Sequence, residues 1–182
     1  IKEDYLLSSP LEPTNEWYAI AKISGLKLCQ AYRKQHGCDF ISLMPTNLYG
    51  PNDNFHPLDS HVPAALLRRF HFAKINNLKN VEVWGSGKPK REFMHVFDLA
   101  KACIFLLKHY SSISHINVGT SKEISILDFA NLIKKIVGYK GNIIFDKSKP
   151  DGTYLKRLDT SKINEIGWFA NIELEKGLKM TY

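Results

Sequence analysis

The 182-residue sequence is short of the features that usually assign a class at sight. Its three cysteines, Cys29, Cys38 and Cys103, are odd in number and form no C-x-x-C pair, so neither a disulfide framework nor a zinc site is expected. No apolar run approaches the roughly 18–20 residues that cross a bilayer, and no basic–apolar–small leader opens the chain. A reduced, cytoplasmic setting away from membranes follows as the expectation. There is no internal repeat, no low-complexity tract and no linker that would split the chain. Nor is there a G-x-G-x-x-G or G-x-x-G-x-x-G, so the strand–glycine loop–helix unit that cradles a dinucleotide phosphate is not in this chain. An initiating Met is missing as well. The chain opens on the polar, proline-bearing "IKEDYLLSSPLEPTNEW" and stops at "LEKGLKMTY", inside what reads as a helix, so both ends read as cut.

What the sequence has is ordinary for a globular domain: 44% hydrophobic and 24% charged residues, enough to bury a core. Lys and Arg number 25 against 18 Asp and Glu, a net charge of +7. The cations are scattered rather than run together, which favours an anionic small molecule of the nucleotide type over nucleic acid as partner.

Periodicity and punctuation predict the elements. A loop (1–14) leads to an amphipathic helix over 15–36, stopped by Gly37. "CDFISLMP" (38–45) alternates as a strand and gives way at Pro45 to the loop "TNLYGPNDNFHPLDS". Residues 61–76 carry apolar positions at helical spacing. "VEVWG" and "REFMHV" read as short strands around the turn "SGKPK", and Asp98 is placed to cap the helix "LAKACIFLLKHY". "HINVG" (115–119) is a strand, Ser125 caps a helix to Val137 with Gly138 just beyond, and "NIIFD" (142–146) is a strand. The loop "KSKPDGTYLKRLD" and helical pieces complete the chain. Strands alternating with helices point to an α/β architecture.

Within the 15–36 helix, Tyr18 and Lys22 stand four positions apart, on one face and about 6 Å apart along the axis. An ammonium beside a phenol favours the phenolate, and a tyrosine so placed can serve as acid or base for a carbonyl/alcohol pair. The same spacing arises by chance in long helices, with the tyrosine ring packing and the lysine reaching outward along it. On the spacing alone both readings stand.

Several stretches in their order decide for the first: "EPTNEWYAIAKISGLKLCQAY", "MPTNLYGPNDNFHP", "SHVPAALLRRF", "VWGSGKPKREFMHV", "SHINVGT" and "GYKGNIIFDKSKPDGT". They resemble the C-terminal half of the GDP-L-fucose synthases, an extended short-chain dehydrogenase/reductase family, over roughly residues 4–182. The resemblance implies a fold made of the end of an NAD(P)-binding Rossmann sheet (1–50, with the Tyr/Lys helix) and a smaller, mainly GDP-sugar-binding α/β part (51–182). It implies an oxidoreductase that is also an isomerase, which inverts C3 and C5 of GDP-4-keto-6-deoxy-D-mannose and reduces its C4 ketone with NADPH. It also implies a glycine-rich N-terminal half ahead of Ile1, carrying the family's catalytic serine and cysteine, so this chain alone is expected to be inactive. Cys29, inside the helix, is not that cysteine. Among enzymes, a nucleotide-sugar 4,6-dehydratase or 4-epimerase is the alternative; outside them, a non-catalytic GDP-sugar-binding module.

By the same resemblance Tyr18 protonates the C4 oxygen, and Lys22 holds the nicotinamide ribose and tunes Tyr18. Pro45, Thr46, Asn47 and Leu48 approach the nicotinamide end, with Asn47 also near the substrate; an Asx turn closing the strand is the plainer reading of that stretch. His61, in "DSHV", becomes the acid that reprotonates the sugar carbon, and it lies by the cofactor. Inversion beside a ketone takes a base on one face and an acid on the other, and a histidine suits the second task. Neither alternative enzyme chemistry needs that acid. Arg69, Trp84 and Arg91 are assigned to the substrate, guanidinium groups gripping a diphosphate and the indole offering a face or an N–H. The turn-forming "SKPDGTYLK" (148–156) closes over GDP, with Lys156 reaching it and Asp151 as a further candidate whose carboxylate can instead form the turn. Arg68 and the other histidines (His36, His56, His71, His95, His109, His115) receive no role. Apolar residues Ile20, Ile23, Leu26, Leu28 and Ala31 extend around the 15–36 helix beyond one stripe, which predicts a homodimer built on it.

Overall fold

The computed structural model describes residues 1–182. Two 3₁₀ turns precede helix α1 (Glu16–His36), and β1 (Leu43–Pro45) and β2 (Asn47–Tyr49) follow it. Next come α2 (Val62–Ile75), β3 (Asn80–Trp84), β4 (Lys90–His95), α3 (Val96–His109), β5 (Ile116–Val118) and β6 (Glu123–Ser125). The chain ends with α4 (Ile126–Val137), β7 (Asn142–Asp146), β8 (Leu155–Lys156), α5 (Ser161–Glu165) and α6 (Leu174–Thr181).

Local chemistry sets the helix ends. Gly37 and Gly138 adopt left-handed conformations (φ 67° and 72°), and their N–H groups close on the carbonyls of Arg33 and of Lys134 and Lys135. Ser125 caps α4, its hydroxyl accepting the Asp128 N–H at 3.0 Å. At α3 the expectation fails. The helix starts at Val96, and His95 is the cap, its ring nitrogen accepting the Phe97 N–H at 3.2 Å. Asp98 lies in the first turn, buried, with one oxygen accepting the N–H groups of Asn171 and Ile172 at 3.0 and 2.8 Å. A carboxylate that reaches distant backbone donors has no call to cap its own helix.

Strand β4 is the hub. It pairs parallel with β2 and β8 and antiparallel with β6, while β1 pairs parallel with β5 and β3 with β7. The strand expected over 38–45 is shorter, because only residues 43–45 find a partner, in β5. Three other strands fall in stretches read as loop or helix approach: β2, β6 and β8. Each has two or three residues and exists because β4 offers it an edge. At Thr46 the chain changes sheets: Thr46 N–H still bonds Val118 of β5, while Asn47 opens the ladder with Phe93 of β4.

Two apolar cores result. One gathers α2, α4, β3 and β7 around the buried Phe70, Phe93, Phe129 and Ile133, with Phe93 and Phe129 stacked at 4.3 Å. The other joins α3, β5 and α5 through Leu106, Ile116, Val118 and Ile163, with Leu43 of β1 packed against it. No helix is long and apolar enough to cross a membrane.

Candidate active site

Tyr18 and Lys22 keep the one-turn spacing, with the Lys22 ammonium 5.5 Å from the centroid of the Tyr18 ring. Both side chains are exposed, and neither spends a hydrogen bond on the protein. Helix α1 as a whole is bare: Leu26 is its one buried residue, while Trp17, Ile20 and Leu28 are 80%, 43% and 58% exposed.

The end of β1 and start of β2 form a rigid corner. Pro45 is exposed; Thr46, Asn47 and Leu48 are half-buried. The Thr46 hydroxyl and Asn47 amide both donate to the carbonyl of Glu92, at 3.2 and 2.8 Å. This corner lies where a strand leaves one sheet for another, the kind of crevice in which open α/β sheets take ligands. His61 occupies the N-cap of α2 with extended backbone (φ −69°, ψ 160°), and its exposed ring makes no cap bond. The imidazole therefore retains both its nitrogens for another partner.

A second cluster forms where α2, β3 and the 147–156 segment meet. The Arg69 guanidinium lies 5.1 Å from the Trp84 ring centroid and donates to the Glu82 carbonyl at 3.2 Å. A shallow groove of about 370 Å³, lined by Arg68, Arg69, Phe72, Leu78, Val81 and Trp84 among others, opens beside them. Trp84 is 55% exposed, with its indole N–H donated to the Glu82 carboxylate at 3.2 Å.

Arg91 and Lys156 come together because β8 pairs with β4 in the register Arg91↔Lys156. The half-buried Arg91 donates to the carbonyls of Lys90 and Thr153, at 2.8 and 2.6 Å, and burial lowers the basicity of its guanidinium while nearby Asp151 counteracts this. Both oxygens of Asp151 are taken by Ser86, from its N–H at 2.6 Å and its hydroxyl at 2.7 Å. The Ser86 N–H first, then its hydroxyl, holds the Asp151 carboxyl below the usual carboxylate range. Asp151 thus anchors the loop to the β3–β4 turn, where Gly85 (φ 84°) leaves room that a side chain would take.

The structure joins Arg69 to Trp84, Arg91 to Lys156, and Thr46 to Asn47. It shows no hydrogen bond or ion pair linking Tyr18, Lys22 or His61 to these groups. Two residues escaped the sequence reading. Glu92 is fully buried and accepts N–H bonds from Thr120 (2.5 Å), Ser121 (2.8 Å) and Leu158 (2.8 Å). Lys149 places its ammonium 5.6 Å from the Trp84 centroid. The donors around Glu92 lie some distance along the chain, so no local pattern reveals it; Lys149 stands inside the "SKPDG" turn, whose Pro-Asp-Gly drew the reading elsewhere.

The chain therefore carries an exposed phenol–ammonium pair on a helix, a parallel-sheet corner, and a basic, aromatic groove as separate features. The chain belongs to the NAD dependent epimerase/dehydratase family, which it matches over residues 1–119. It is 58% identical to GDP-L-fucose synthase 1 of Arabidopsis thaliana over 182 residues, covering 100% of this chain and 56% of that protein. It is 53% identical to the GDP-L-fucose synthase of Escherichia coli strain K12 over 189 residues, 99% of this chain and 59% of that protein. A solved GDP-L-fucose synthetase from Naegleria fowleri bound to NADP superposes on the whole chain with a TM-score of 0.95 at 33% identity, covering 59% of that structure. The chain thus spans a little over half the length of these relatives.

Proposed function

We propose that this chain carries the sugar-nucleotide side of a GDP-L-fucose synthase site, together with the tyrosine and lysine that work on the C4 carbonyl. The protein it serves takes GDP-4-keto-6-deoxy-D-mannose, inverts C3 and C5, and reduces C4 with NADPH. The observation that carries the reading is the identity sustained along the entire chain with proteins of that name, 58% in the Arabidopsis relative.

The side chains present fit NADP(H), because the Tyr18 hydroxyl and Lys22 ammonium are exposed, mutually close and unspent on protein partners, as ribose hydroxyls require. When bound, that cofactor supplies the hydride. Tyr18 donates a proton to the C4 oxygen, and Lys22 holds the ribose and keeps charge beside the phenol. Residues 45–48 shape the wall near the nicotinamide, with Asn47 held in place by Glu92. His61 delivers a proton to the sugar carbon from the face opposite the base. Arg69, Trp84, Arg91 and Lys156 grip GDP, and Asp151 holds the loop that bears on it. A second copy pairs through α1, a reading supported by the exposed Trp17, Ile20 and Leu28. A cytoplasmic setting is supported by three unpaired cysteines.

Calorimetric titration tests the reading. The chain should bind GDP and should bind NADPH far more weakly, since no phosphate-cradling glycine loop occurs in it. Tighter binding of NADPH than of GDP contradicts the assignment.

A further inference from the structure

We propose that Lys149 is a second cationic contact for the diphosphate of the nucleotide sugar, stationed at Trp84 by the turn that carries it. The inference rests on the function proposed above. Its starting point is placement. In the β3–β7 ladder Trp84 stands opposite Asp146, so the segment following Asp146 leaves the sheet directly beside the indole. That segment is fixed at once: Asp146 accepts the Ser148 N–H and hydroxyl at 2.9 and 2.6 Å, and the Lys149 N–H reaches the Asp146 carbonyl at 3.3 Å. Two residues further on, Asp151 ties the chain to Ser86 through two more bonds. Lys149 is therefore held from both sides, and its backbone has little choice of where to present the side chain.

The state of its charge is the second point. The Arg69 guanidinium over the same indole is tethered by the Glu82 carbonyl. The Lys149 ammonium has no hydrogen-bond acceptor and no ion-pair partner; its contact is the aromatic ring. The neighbouring carboxylates spend their hydrogen bonds elsewhere, Asp146 on Ser148, Asp151 on Ser86 and Glu82 on the Trp84 N–H, and Asp146 feels the Lys149 charge only through space. Two cations thus face an exposed tryptophan beside a groove, with no carboxylate paired to either. A cation–π contact at an exposed ring is weak and easily exchanged for a charge-assisted hydrogen bond. A nucleoside diphosphate supplies both exchanges, with its phosphates taking the ammonium as a point charge and the guanidinium as a fork.

The test is titration of the 182-residue protein with GDP, GMP and guanosine, comparing it with Lys149→Met, which keeps an unbranched stem, and Lys149→Arg. Lys149 is exposed, so both variants keep the fold. Lys149→Met should weaken GDP about tenfold, as loss of one charge-assisted bond requires, and guanosine less than about twofold by the same reasoning. Lys149→Arg should recover most of the loss. The GDP affinity of the unaltered protein should also fall more steeply with salt than that of Lys149→Met. GDP bound equally by the unaltered protein and Lys149→Met, or guanosine weakened as much as GDP, overturns the diphosphate contact while leaving the proposed function standing. No GDP binding by the unaltered protein overturns both.

Discussion

Replacing Glu92 by Gln should be among the most damaging conservative changes in this chain. Its carboxylate is fully buried and takes three backbone N–H groups, two on one oxygen and the Leu158 N–H on the other. Glutamine keeps an oxygen for Thr120 and Ser121 but turns an NH₂ group toward Leu158. A buried donor left unmade costs about 1–3 kcal/mol, and the two bonds retained lose their charge assistance, roughly 1 kcal/mol each. The sum, about 3–5 kcal/mol, is a large share of the roughly 5–15 kcal/mol that holds a domain together. At about 2–4 °C per kcal/mol for this size the melting temperature should drop by on the order of 10 °C. Glu92→Leu strands all three donors and should be worse. Function is affected as well, because the Leu158 N–H held by this carboxylate lies just beyond Lys156 in the chain. Circular dichroism melts read the stability and GDP titration reads the site. A Glu92→Gln protein that melts within about 2 °C of the parent, or a Glu92→Leu protein more stable than Glu92→Gln, refutes the reasoning.

Three further outcomes concern the polypeptide extended to the relatives' length. Tyr18→Phe should cut ketone reduction by ~10²-fold or more, with GDP-sugar affinity nearly unchanged, since it removes one transferable proton; a rate above about a tenth of the parent in stopped-flow assays rules out the general-acid role. His61→Gln should stall or release a sugar reduced at C4 but not inverted, and normal GDP-L-fucose output by NMR of the products would remove His61 from the mechanism. The protein should scatter light as a dimer at micromolar concentration, and Leu28→Asp, at an exposed position of α1, should split it without lowering helical content; a monomeric parent defeats the interface.

How far the sequence could be read depended on whether the deciding partner was near in the chain. Helices α1, α2 and α4 announce themselves through local periodicity and through Gly37, Ser125 and Gly138, whose caps are formed within a turn. Strands β2, β6 and β8 are too short to carry a pattern; each is defined by β4, which none of them precedes or follows at hairpin distance. Asp98 misled for the same reason, its true partners being Asn171 and Ile172. In the site, the Tyr18–Lys22 pair is readable as a spacing. Family resemblance singled out Arg69 and Trp84 one by one; their contact is visible only in the structure, because separate elements bring them together. Glu92 had no signal in the sequence, since a buried acid is a property of the assembled fold; the loop bearing Lys149 was legible as a turn, but not the ammonium's place over the Trp84 ring.

The central claim is that Tyr18, Lys22 and His61 belong to a site that both inverts and reduces a GDP-keto-sugar. The direct measurement is product analysis of the extended polypeptide supplied with GDP-4-keto-6-deoxy-D-mannose and NADPH, the 4-position of the cofactor deuterated and the solvent ordinary water. The account predicts GDP-L-fucose, inverted at C3 and C5, with deuterium at C4 and none at C3 or C5. A product reduced at C4 with its C3 and C5 configurations unchanged, or no consumption of NADPH, contradicts it.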